Sequence, residues 1–343
     1  MTGWAFRAQD LASPPSLVQF AEFPHLLGAE TAAVLILSPI FEVDLQPEQY
    51  AYRRRRSAHD AVRHIHRLLN TGYRDVVDAD LADYFGSIPH AELLASVARR
   101  VSDRHMLHLI KQWIVVPVEE EDGRGGKRRT AEARHKKRGI PQGSPISPLL
   151  SNTYMRRFLL GWKVLGHAAR LDAHIVNYAD DLTILCRGTA ETAKDAMRDM
   201  MDRLKLTVND EKTRLCRVPE SSFDFLGYTF GRYYSPKTGR SYIGTRPSKK
   251  SIAKVRRTIS ELTSRRWLLI DTDLQVEKLN WVLTGWGTTS VWARSARRTG
   301  QSMRTWLSGF AGGCARSARR QVEELHVSPT STSIGNWGSS VSR

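Results

Sequence analysis

The sequence is poor in cysteine and has no long apolar run, and both shortages exclude classes of protein. Its three cysteines, Cys186, Cys216 and Cys314, are an odd number without a C-x-x-C pair. Neither a disulfide framework nor a structural zinc site is therefore indicated, and we interpret Cys186 and Cys216 as small apolar residues at strand positions. The apolar run TAAVLIL, from Thr31 to Leu37, is far shorter than the roughly 20 residues of a membrane span.

Acidic residues are also scarce relative to basic ones. Asp and Glu number 35 against 52 Lys and Arg, which gives a net charge of +17 and a pI of about 10.1. This excess, spread among 9 Trp and 10 Tyr, favours a polyanionic partner, most simply nucleic acid, with an anionic membrane surface as the rival. The N-terminus lacks a secretory pattern, so we expect a cytoplasmic protein that does not insert into a membrane.

Two adjacent carboxylates, Asp180 and Asp181, interrupt the otherwise apolar stretch HIVNYADDLTIL. The apolar residues on either side predict two short strands, with residues 178–181 as the turn between them. Two like charges at such a turn repel each other unless a cation lies between them. A divalent metal site is one interpretation, and an ordinary hairpin with a solvated Asp-Asp turn is the other.

A second strand with carboxylates, VVDADL, lies about one hundred residues upstream. Phosphoryl transfer by two metal ions about 4 Å apart needs at least two rigidly held carboxylates, and Asp80 is a natural partner for Asp180. The pairing predicts that the two strands lie side by side, with the carbonyl of Leu81 nearby. Asp78 shares the face of Asp80 because side chains two residues apart in a strand do so, and the spacing alone leaves that choice open.

Helical and strand patterns alternate from Ser57, a plausible N-cap, onward. The VVDADL strand is followed by helical patterns over 89–101 and 104–114, and the charged segment EEEDGRGGKRRTAEARHKKR predicts an exposed loop. Ser147 and Pro148 predict a helix start through capping and first-turn chemistry. This order of helices and carboxylate-bearing strands predicts an α+β fold, with an antiparallel sheet and helices on one face.

Six stretches carry a pattern that is more specific together than any one of them alone. They are SPIFEVDLQPEQYAYRRRRSAHDAV, VVDADLADYFGSIPH, RGIPQGSPISPLLSN, NYADDLTIL, LTVNDEKTRL and FDFLGYTF. In this order they resemble the reverse transcriptases encoded by bacterial group II introns, over about Gly28 to Trp286. The resemblance implies a right-hand polymerase architecture, with partial fingers and a palm followed by a helical thumb or maturase region.

The resemblance also implies a metal-dependent catalytic centre. Asp80 and Asp180 resemble the metal ligands, Asp181 the weaker third carboxylate, and Leu81 the residue that contributes a backbone carbonyl. The implied cofactor is a pair of Mg²⁺ ions, with Mn²⁺ as an alternative. Phe85 resembles the aromatic gate that excludes a ribose 2′-hydroxyl, and core packing is its other interpretation.

Further matching positions are implied in contacts with the nucleotide, the primer and RNA. Gln142 and Gly143, after Pro141, resemble the loop that borders the nascent base pair, and Lys212 resembles the lysine that approaches the incoming phosphates. The residues that resemble the primer-grip hairpin are Phe225, Leu226, Gly227 and Tyr228. The basic residues implied in nucleic-acid binding are Arg53, Arg56, Lys249, Lys250, Lys254, Arg256 and Arg257.

The resemblance divides the chain into four segments. Residues 1–27 have no match, 28–230 form the fingers and palm, 231–286 form the thumb or maturase region, and 287–343 form an unmatched basic, Ser-rich tail. The matching positions in the maturase region are Leu279, Asn280, Gly285 and Trp286. Because the resemblance is lost abruptly at both ends, we expect that a frameshift or truncation altered a once longer gene.

Two smaller departures accompany these ends. Gly86 stands where the family more often has Asp, and Arg54-Arg55 stands where it more often has a Pro-containing pair. The function implied is an RNA-directed DNA polymerase that uses dNTPs to extend a DNA primer on an RNA template, and that binds group II intron RNA and assists its splicing. The alternatives are an RNA-binding maturase, or a degenerate mobile-element remnant, without polymerase activity.

Overall fold

The computed structural model describes residues 24–116, 118–122, 126–130, 132–264 and 272–290. The chain divides into two compact units, the first ending at Arg246 and the second beginning at Pro247. The predictions for Cys314, and for most of the segments 1–27 and 287–343, lie outside the described residues.

Helices and strands alternate along the first unit. Its described helices are α1 (Pro24–Glu42), α2 (Ala58–Asn70), α3 (Tyr84–Ser87), α4 (His90–Val97), α5 (Arg104–Trp113), α6 (Glu132–Lys136), α7 (Ser147–Val164), α8 (His167–Arg170) and α9 (Ala190–Arg203). Its described strands are β1 (Asp75–Asp80), β2 (Val118–Asp122), β3 (Gly126–Thr130), β4 (His174–Tyr178), β5 (Asp181–Cys186), β6 (Arg214–Arg217), β7 (Phe223–Phe225), β8 (Tyr228–Tyr234) and β9 (Ser241–Pro247).

A four-stranded sheet in the order β4, β5, β1, β6 forms the centre of this unit, and each neighbouring pair is antiparallel. β1 and β5, about one hundred residues apart in sequence, lie side by side as predicted. Cys186 lies buried in β5 and Cys216 half-buried in β6, both as free thiols at strand positions. The α+β class that the sequence predicts is confirmed.

The main hydrophobic core lies against one face of this sheet. Val77, Ala79 and Ile184 point into it, together with buried side chains of α4, α5, α7 and α9. Successive residues of a strand point to opposite faces, so the fully buried Val76 lies on the other face, where α2 packs on β4 and β5. The carboxylates Asp78 and Asp80 share that second face.

The charged segment predicted as an exposed loop is instead structured. β2 and β3 form an antiparallel hairpin within it, and α6 follows. The register sets Glu119 opposite Arg129 and Glu120 opposite Arg128, so acidic positions of one strand face basic positions of the other. Opposite charges across a strand pair favour the pairing. Neither strand has the apolar alternation that predicts a strand from sequence.

Two other helix starts differ from the pattern in the sequence. α7 begins at Ser147 and has a proline in its first turn, but its N-cap is Ile146, and the Ser147 hydroxyl donates to the carbonyl of Pro141 at 2.6 Å. α1 was not predicted, because both of its faces are apolar. Leu35 and Ile36 are each 61% exposed, while Leu37 is buried. Apolar residues in α1 therefore do not recur at the spacing that predicts a helix with one buried face.

The second unit is a helix pair. Its described helices are α10 (Lys249–Leu262) and α11 (Thr272–Ser290). Val255 and Ile259 of α10 pack with Leu279 of α11, and the indole N–H of Trp286 and the hydroxyl of Ser251 lie 3.2 Å apart in a hydrogen bond. The apolar residues of α10 and α11 thus form a small core of their own. None of the helices described in either unit has the length and apolar character of a membrane span.

Candidate active site

Three aspartates meet at the end of the central sheet, where β1 and β5 run side by side. The register sets Asp80, the last residue of β1, directly opposite Asp181, the first residue of β5. Asp180 lies beside Asp181 in the two-residue turn that joins β4 to β5. Directly opposed residues of an antiparallel pair have Cβ atoms about 5 Å apart. The strand pairing therefore brings Asp80 to the Tyr-Ala-Asp-Asp turn, with Asp181 as its direct cross-strand partner.

The aspartates at this end of the sheet lie close enough for their charges to raise one another's pKa values. Burial raises the pKa of Asp181 to about 7, and the charges of Asp180, Asp78 and Asp80 add to that rise. The pKa of Asp180 is also raised, chiefly by desolvation and then by Asp80. Burial raises the pKa of Asp78 to about 6, although Arg214 opposes that shift. Ionising these carboxylates together is therefore unfavourable, and a bound cation would lower that cost.

The donor chemistry of the cluster fits a hard divalent cation. Among the described residues, no three Asp, Glu, His or Cys side chains form a ready-made metal-binding group, and the ammonium of Lys212 lies 3.3 Å from Asp80 Oδ2. However, Asp80, Asp180 and Asp181 offer only carboxylate oxygens, the donors that Mg²⁺ and Mn²⁺ prefer. Their mutual repulsion also falls when a cation lies between them. Asp80, Asp180 and Asp181 are therefore candidate metal ligands.

In the absence of divalent ions, we expect Asp181→Asn to raise the melting temperature at about pH 8 by on the order of 5 °C. Asp181 ionises near its ordinary value of 3.8 in the unfolded chain but near 7 in the folded protein. Stability therefore falls as the pH rises between these values and stays reduced above them, by about 2 kcal/mol after solvent screening. Melts in EDTA test this: the gain should vanish near pH 4, and an equal gain at both pH values would contradict it.

Asn177 holds the turn that carries Asp180. Its side chain is buried, and its amide nitrogen donates to the carbonyl of Ala179 at 2.8 Å and to that of Asp181 at 3.3 Å. Its backbone pairs with residues 48–50, because its N–H donates to the carbonyl of Glu48 and its carbonyl accepts from the N–H of Tyr50. One side chain therefore fixes the carbonyls on both sides of Asp180.

A second turn places Lys212 beside Asp80. The backbone N–H of Asn209 donates to the carbonyl of Asp80 at 2.8 Å, and the Asn209 side chain accepts from the N–H of Lys212 at 3.3 Å. Leu81 pairs with Val208 in the same region, and this pairing uses the carbonyl of Asp80 rather than that of Leu81. The segment 208–213 is thus fastened to the end of β1.

Phe85 lies on the short helix α3, five residues after Asp80. It is half-buried and packs edge-on against Tyr84, with ring centroids 5.6 Å apart, while the Tyr84 hydroxyl donates to the carbonyl of Ser151 at 2.7 Å. The carbonyl of Phe85 accepts from the N–H of Ile140 at 2.9 Å. Phe85 therefore packs against the core, and its backbone is joined to the segment that leads into Pro141.

Asp83 occupies the space that a side chain at position 86 would need. Its carboxylate accepts from the N–H of Gly86 at 3.2 Å, and a Cβ on Gly86 would lie 2.1 Å from Asp83 Oδ2. Asp83 itself has a left-handed backbone, with φ of 44°. This chain therefore places a carboxylate from position 83 in the space beside Gly86.

We expect Gly86→Asp and Asp83→Gly each to destabilise the protein by about 1 kcal/mol, and the double variant to recover most of that loss. The first adds a clash and a like charge, and the second removes the cap. Together they leave one carboxylate at position 86 and glycine at the left-handed position. Urea melts of the four proteins measure the coupling, and additive losses would show that the two positions act independently.

The loop from Pro141 to Ile146 presents Gln142 and Gly143 to solvent. Gln142 and Gly143 are exposed, whereas Ser144 and Ile146 are buried. The hydroxyl and backbone N–H of Ser147 donate to the carbonyls of Pro141 and Ser144 respectively. The loop is therefore compact, with its tip outward and its base anchored.

The hairpin of β7 and β8 lies near the carboxylates. Leu226 and Gly227 form its two-residue turn, both with positive φ, 48° and 80°, as type I′ hairpin turns require. Phe225 and Tyr228 are buried, and the hydroxyl of Tyr228 lies 3.0 Å from Nε2 of His59 on α2. Asp224 of β7 contributes to the raised pKa of Asp78, so the hairpin extends to the carboxylate face of the sheet.

The predicted nucleic-acid contacts differ in accessibility. The Arg53 side chain is only 7% exposed, and it donates to Glu42 and to the carbonyls of Gln46 and Gln49, a geometry that favours a structural role. Arg56 is half-buried, donates to the carbonyl of Pro47 and lies over the ring of Tyr50. In the second unit, the predicted basic residues are all exposed on α10: Lys249, Lys250, Lys254, Arg256 and Arg257.

Three residues around this site were not found from sequence. Asn177 precedes the Tyr-Ala-Asp-Asp turn, Asp83 lies between Asp80 and Phe85, and Glu30 on α1 contacts the loop that carries Gln142. Adjacency to a motif was the available signal for Asn177 and Asp83. Glu30 has none, because its contact joins positions more than one hundred residues apart.

Comparison with known proteins places these features in a family. The family described as reverse transcriptase (RNA-dependent DNA polymerase) matches residues 29–230. Protein YkfC of Escherichia coli K12 is 29% identical over 69% of this chain and 68% of its own length. The group II intron-encoded protein LtrA of Lactococcus lactis subsp. cremoris is 28% identical over 39% of this chain, and the match spans 21% of LtrA.

Two further similarities are more distant. The putative COX1/OXI3 intron 1 protein of Saccharomyces cerevisiae is 24% identical over 57% of this chain, which corresponds to 28% of that protein. A solved structure of apo telomerase from Candida tropicalis has a TM-score of 0.46 at 12% identity, covering 88% of this chain and 60% of that one. The chain thus spans only a fraction of the length of most of these relatives.

Proposed function

The chain belongs to the reverse transcriptase (RNA-dependent DNA polymerase) family, and on that basis we propose that Asp80, Asp180 and Asp181 form the catalytic centre of an RNA-directed DNA polymerase. The observation that carries this proposal is the register of β1 and β5, which sets Asp80 opposite Asp181 beside the Asp180 turn. A solvated hairpin would not need a second carboxylate strand alongside it. The raised pKa values of Asp180 and Asp181 support a site that a bound cation would stabilise.

The proposed cofactor is Mg²⁺, with Mn²⁺ as an alternative, held by these three aspartates. Held by these aspartates, the ions would lower the barrier to attack of the primer 3′-hydroxyl on the nucleotide α-phosphate and would neutralise the leaving pyrophosphate. The domain division from the sequence, with a palm to residue 230 and a thumb from 231, is part of this proposal. The sheet of β7, β8 and β9 continues to Pro247, which favours a boundary nearer that residue.

The surrounding residues have complementary proposed roles. The ammonium of Lys212 lies 3.3 Å from Asp80, and its side chain is 68% exposed. It would therefore be able to leave Asp80 and contact the phosphates of an incoming dNTP. Phe85 would exclude a ribose 2′-hydroxyl, and its packing on Tyr84 limits how far its ring can retreat. Gln142 and Gly143 would border the template and the nascent base pair.

The β7–β8 hairpin would support the primer end. Its type I′ turn at Leu226 and Gly227 exposes backbone at the tip, while Phe225 and Tyr228 anchor it below. A backbone contact suits a primer of any sequence because it carries no base preference.

The proposed template is RNA, specifically a group II intron RNA. Support comes from the printed names of relatives, which include a group II intron-encoded protein and an intron maturase. In the second unit, the five exposed basic residues of α10 would contact RNA phosphates. Of the predicted maturase positions of α11, the exposed Asn280 would add to this surface, together with the half-buried Gly285, whereas Leu279 and Trp286 pack against α10, which favours a structural role for both. Splicing assistance without DNA synthesis is the second candidate function, and this basic helix is the observation that favours it.

Primer extension by the purified chain tests the polymerase proposal. A DNA primer annealed to RNA and to DNA templates of the same sequence is incubated with dNTPs and Mg²⁺, and matched reactions contain EDTA or rNTPs. We expect full extension on RNA with dNTPs, and none in EDTA. RNA binding that weakens steeply with salt, without any extension, would instead favour the splicing function.

A further inference from the structure

A buried carboxylate outside the catalytic cluster contacts the loop that carries Gln142. Glu30 of α1 is 1% exposed, and ionisable side chains are almost never buried this fully without partners. Here the Ser144 hydroxyl donates to Glu30 Oε2 at 2.5 Å, and the backbone N–H of Ile146 donates to the same carboxylate. Both donors belong to one loop.

These two contacts hold the loop from behind its tip. Ser147 anchors the base of the loop by donating to the carbonyls of Pro141 and Ser144. Glu30 of α1 accepts hydrogen bonds from Ser144 and Ile146 in the second half of the loop. Between these anchors, Gly143 has a left-handed backbone with φ of 91°. With Ser144 and Ile146 fixed, the only exposed residues of the turn are Gln142 and Gly143 at the tip.

The same loop is joined to the turn that carries Phe85. The N–H of Ile140 donates to the carbonyl of Phe85, and the N–H of Gly139 donates to the carbonyl of Ile88. The tip residues are therefore positioned from two sides, by α3 through the preceding segment and by Glu30 through the following one. α1 thus supplies, through Glu30, the contact on the second side of the loop.

We propose that Glu30 is a positioning residue that sets the conformation of the Pro141–Ile146 loop, and so the placement of Gln142 and Gly143 against the template and the incoming nucleotide. The second half of this statement rests on the proposed polymerase function, whereas the first half does not. A carboxylate suits the task because two donors converge on it. Burial raises the pKa of Glu30, and the two hydrogen bonds oppose that rise, so the contacts themselves favour the accepting form.

The test compares Glu30→Leu, Glu30→Gln, Ser144→Ala and the double variant of Glu30→Leu with Ser144→Ala. Thr31→Ala is the matched control, since Thr31 is the next residue of the same helix, is exposed, and bonds only within its own turn. Hydrogen exchange measured by mass spectrometry follows residues 141–146, with α7 as the internal reference. We expect faster exchange of the loop in Glu30→Leu, unchanged exchange of α7, and wild-type behaviour in Thr31→Ala.

The kinetic readout is extension on the RNA template. Glu30→Leu should raise the dNTP KM by about 10-fold or more with a smaller change in kcat. Glu30→Gln, which keeps one acceptor, should stay within about 3-fold of wild type. The KM of the double variant should be no higher than that of Glu30→Leu alone, because both changes remove the same hydrogen bond between Ser144 and Glu30.

Each outcome decides the proposal. Unchanged loop exchange in a folded Glu30→Leu, or a KM no different from that of Thr31→Ala, would overturn it. If Glu30→Leu does not fold, Ser144→Ala and Glu30→Gln take its place, and wild-type exchange in Ser144→Ala would overturn the proposal. If the wild-type chain extends no primer, the polymerase proposal fails, while the exchange data still decide whether Glu30 orders the loop.

Discussion

Replacing Asp80 or Asp180 by Asn should reduce primer extension by roughly 10³-fold or more, with the fold intact. Both carboxylates lie at the strand ends where β1 meets the turn between β4 and β5, and an amide cannot supply the negative charge that a divalent cation needs there. Asp181→Asn should have a smaller effect, about 10- to 100-fold, since Asp181 is proposed as the weaker third carboxylate. Single-turnover extension on an RNA template measures all three.

Asp78→Asn is the matched control for this series. Asp78 lies on the same strand face as Asp80, but its register partners are Thr183 and Arg214, farther from the turn. Burial raises its pKa to about 6, and the neighbouring Arg214 opposes that rise. We expect Asp78→Asn to retain extension within about 3-fold of wild type. An equal loss in Asp78→Asn and Asp80→Asn would contradict the assignment of Asp80, rather than Asp78, to the catalytic centre.

Asn177→Leu should destabilise the protein by about 3 kcal/mol and reduce extension by about 100-fold. The substitution removes the donor shared by the carbonyls of Ala179 and Asp181. It also leaves Ala179, which is held at a φ of 56°, without the contact that stabilises this left-handed conformation. The turn that presents Asp180 would then relax. Chemical denaturation gives the free energy of unfolding, and extension gives the activity.

Thr183→Val is the control for Asn177→Leu. Thr183 is buried in β5 on the same strand pair, and within the described part of the chain its hydroxyl has no hydrogen-bond partner. Removing an unpartnered buried hydroxyl should leave stability unchanged or slightly increased. If Thr183→Val and Asn177→Leu lower stability and activity equally, general packing of the hairpin matters rather than the Asn177 contacts.

The sequence predicted the parts of this fold that are governed by local chemistry. Ser57 caps α2 with a capping box to Asp60, as its position before an apolar helical period predicts. The apolar residues on either side of Asp180 form two strands, as those short apolar runs predict. The adjacency of β1 and β5 was also predicted, but by the demand that two carboxylates share a cation rather than by any local pattern.

The missed features depend on contacts that local patterns do not encode. α1 is apolar on both faces, so it gave no helical period. The β2–β3 hairpin is matched by charge along its register rather than by apolar alternation. Asp83 takes the space of a side chain at position 86 only because its backbone is left-handed, which is a property of the folded turn.

The direct test of the catalytic centre is cleavage of the protein backbone by Fe²⁺ bound in place of Mg²⁺. Fe²⁺ with ascorbate and peroxide generates hydroxyl radicals that cut the chain next to the bound ion, and the fragments are mapped by mass spectrometry. We expect cuts near Asp80 and near Asp180 in the same molecule, suppressed by excess Mg²⁺ and lost in Asp180→Asn but retained in Asp78→Asn. Cuts at neither position, or cuts that persist in Asp180→Asn, would contradict a shared metal site between the two strands.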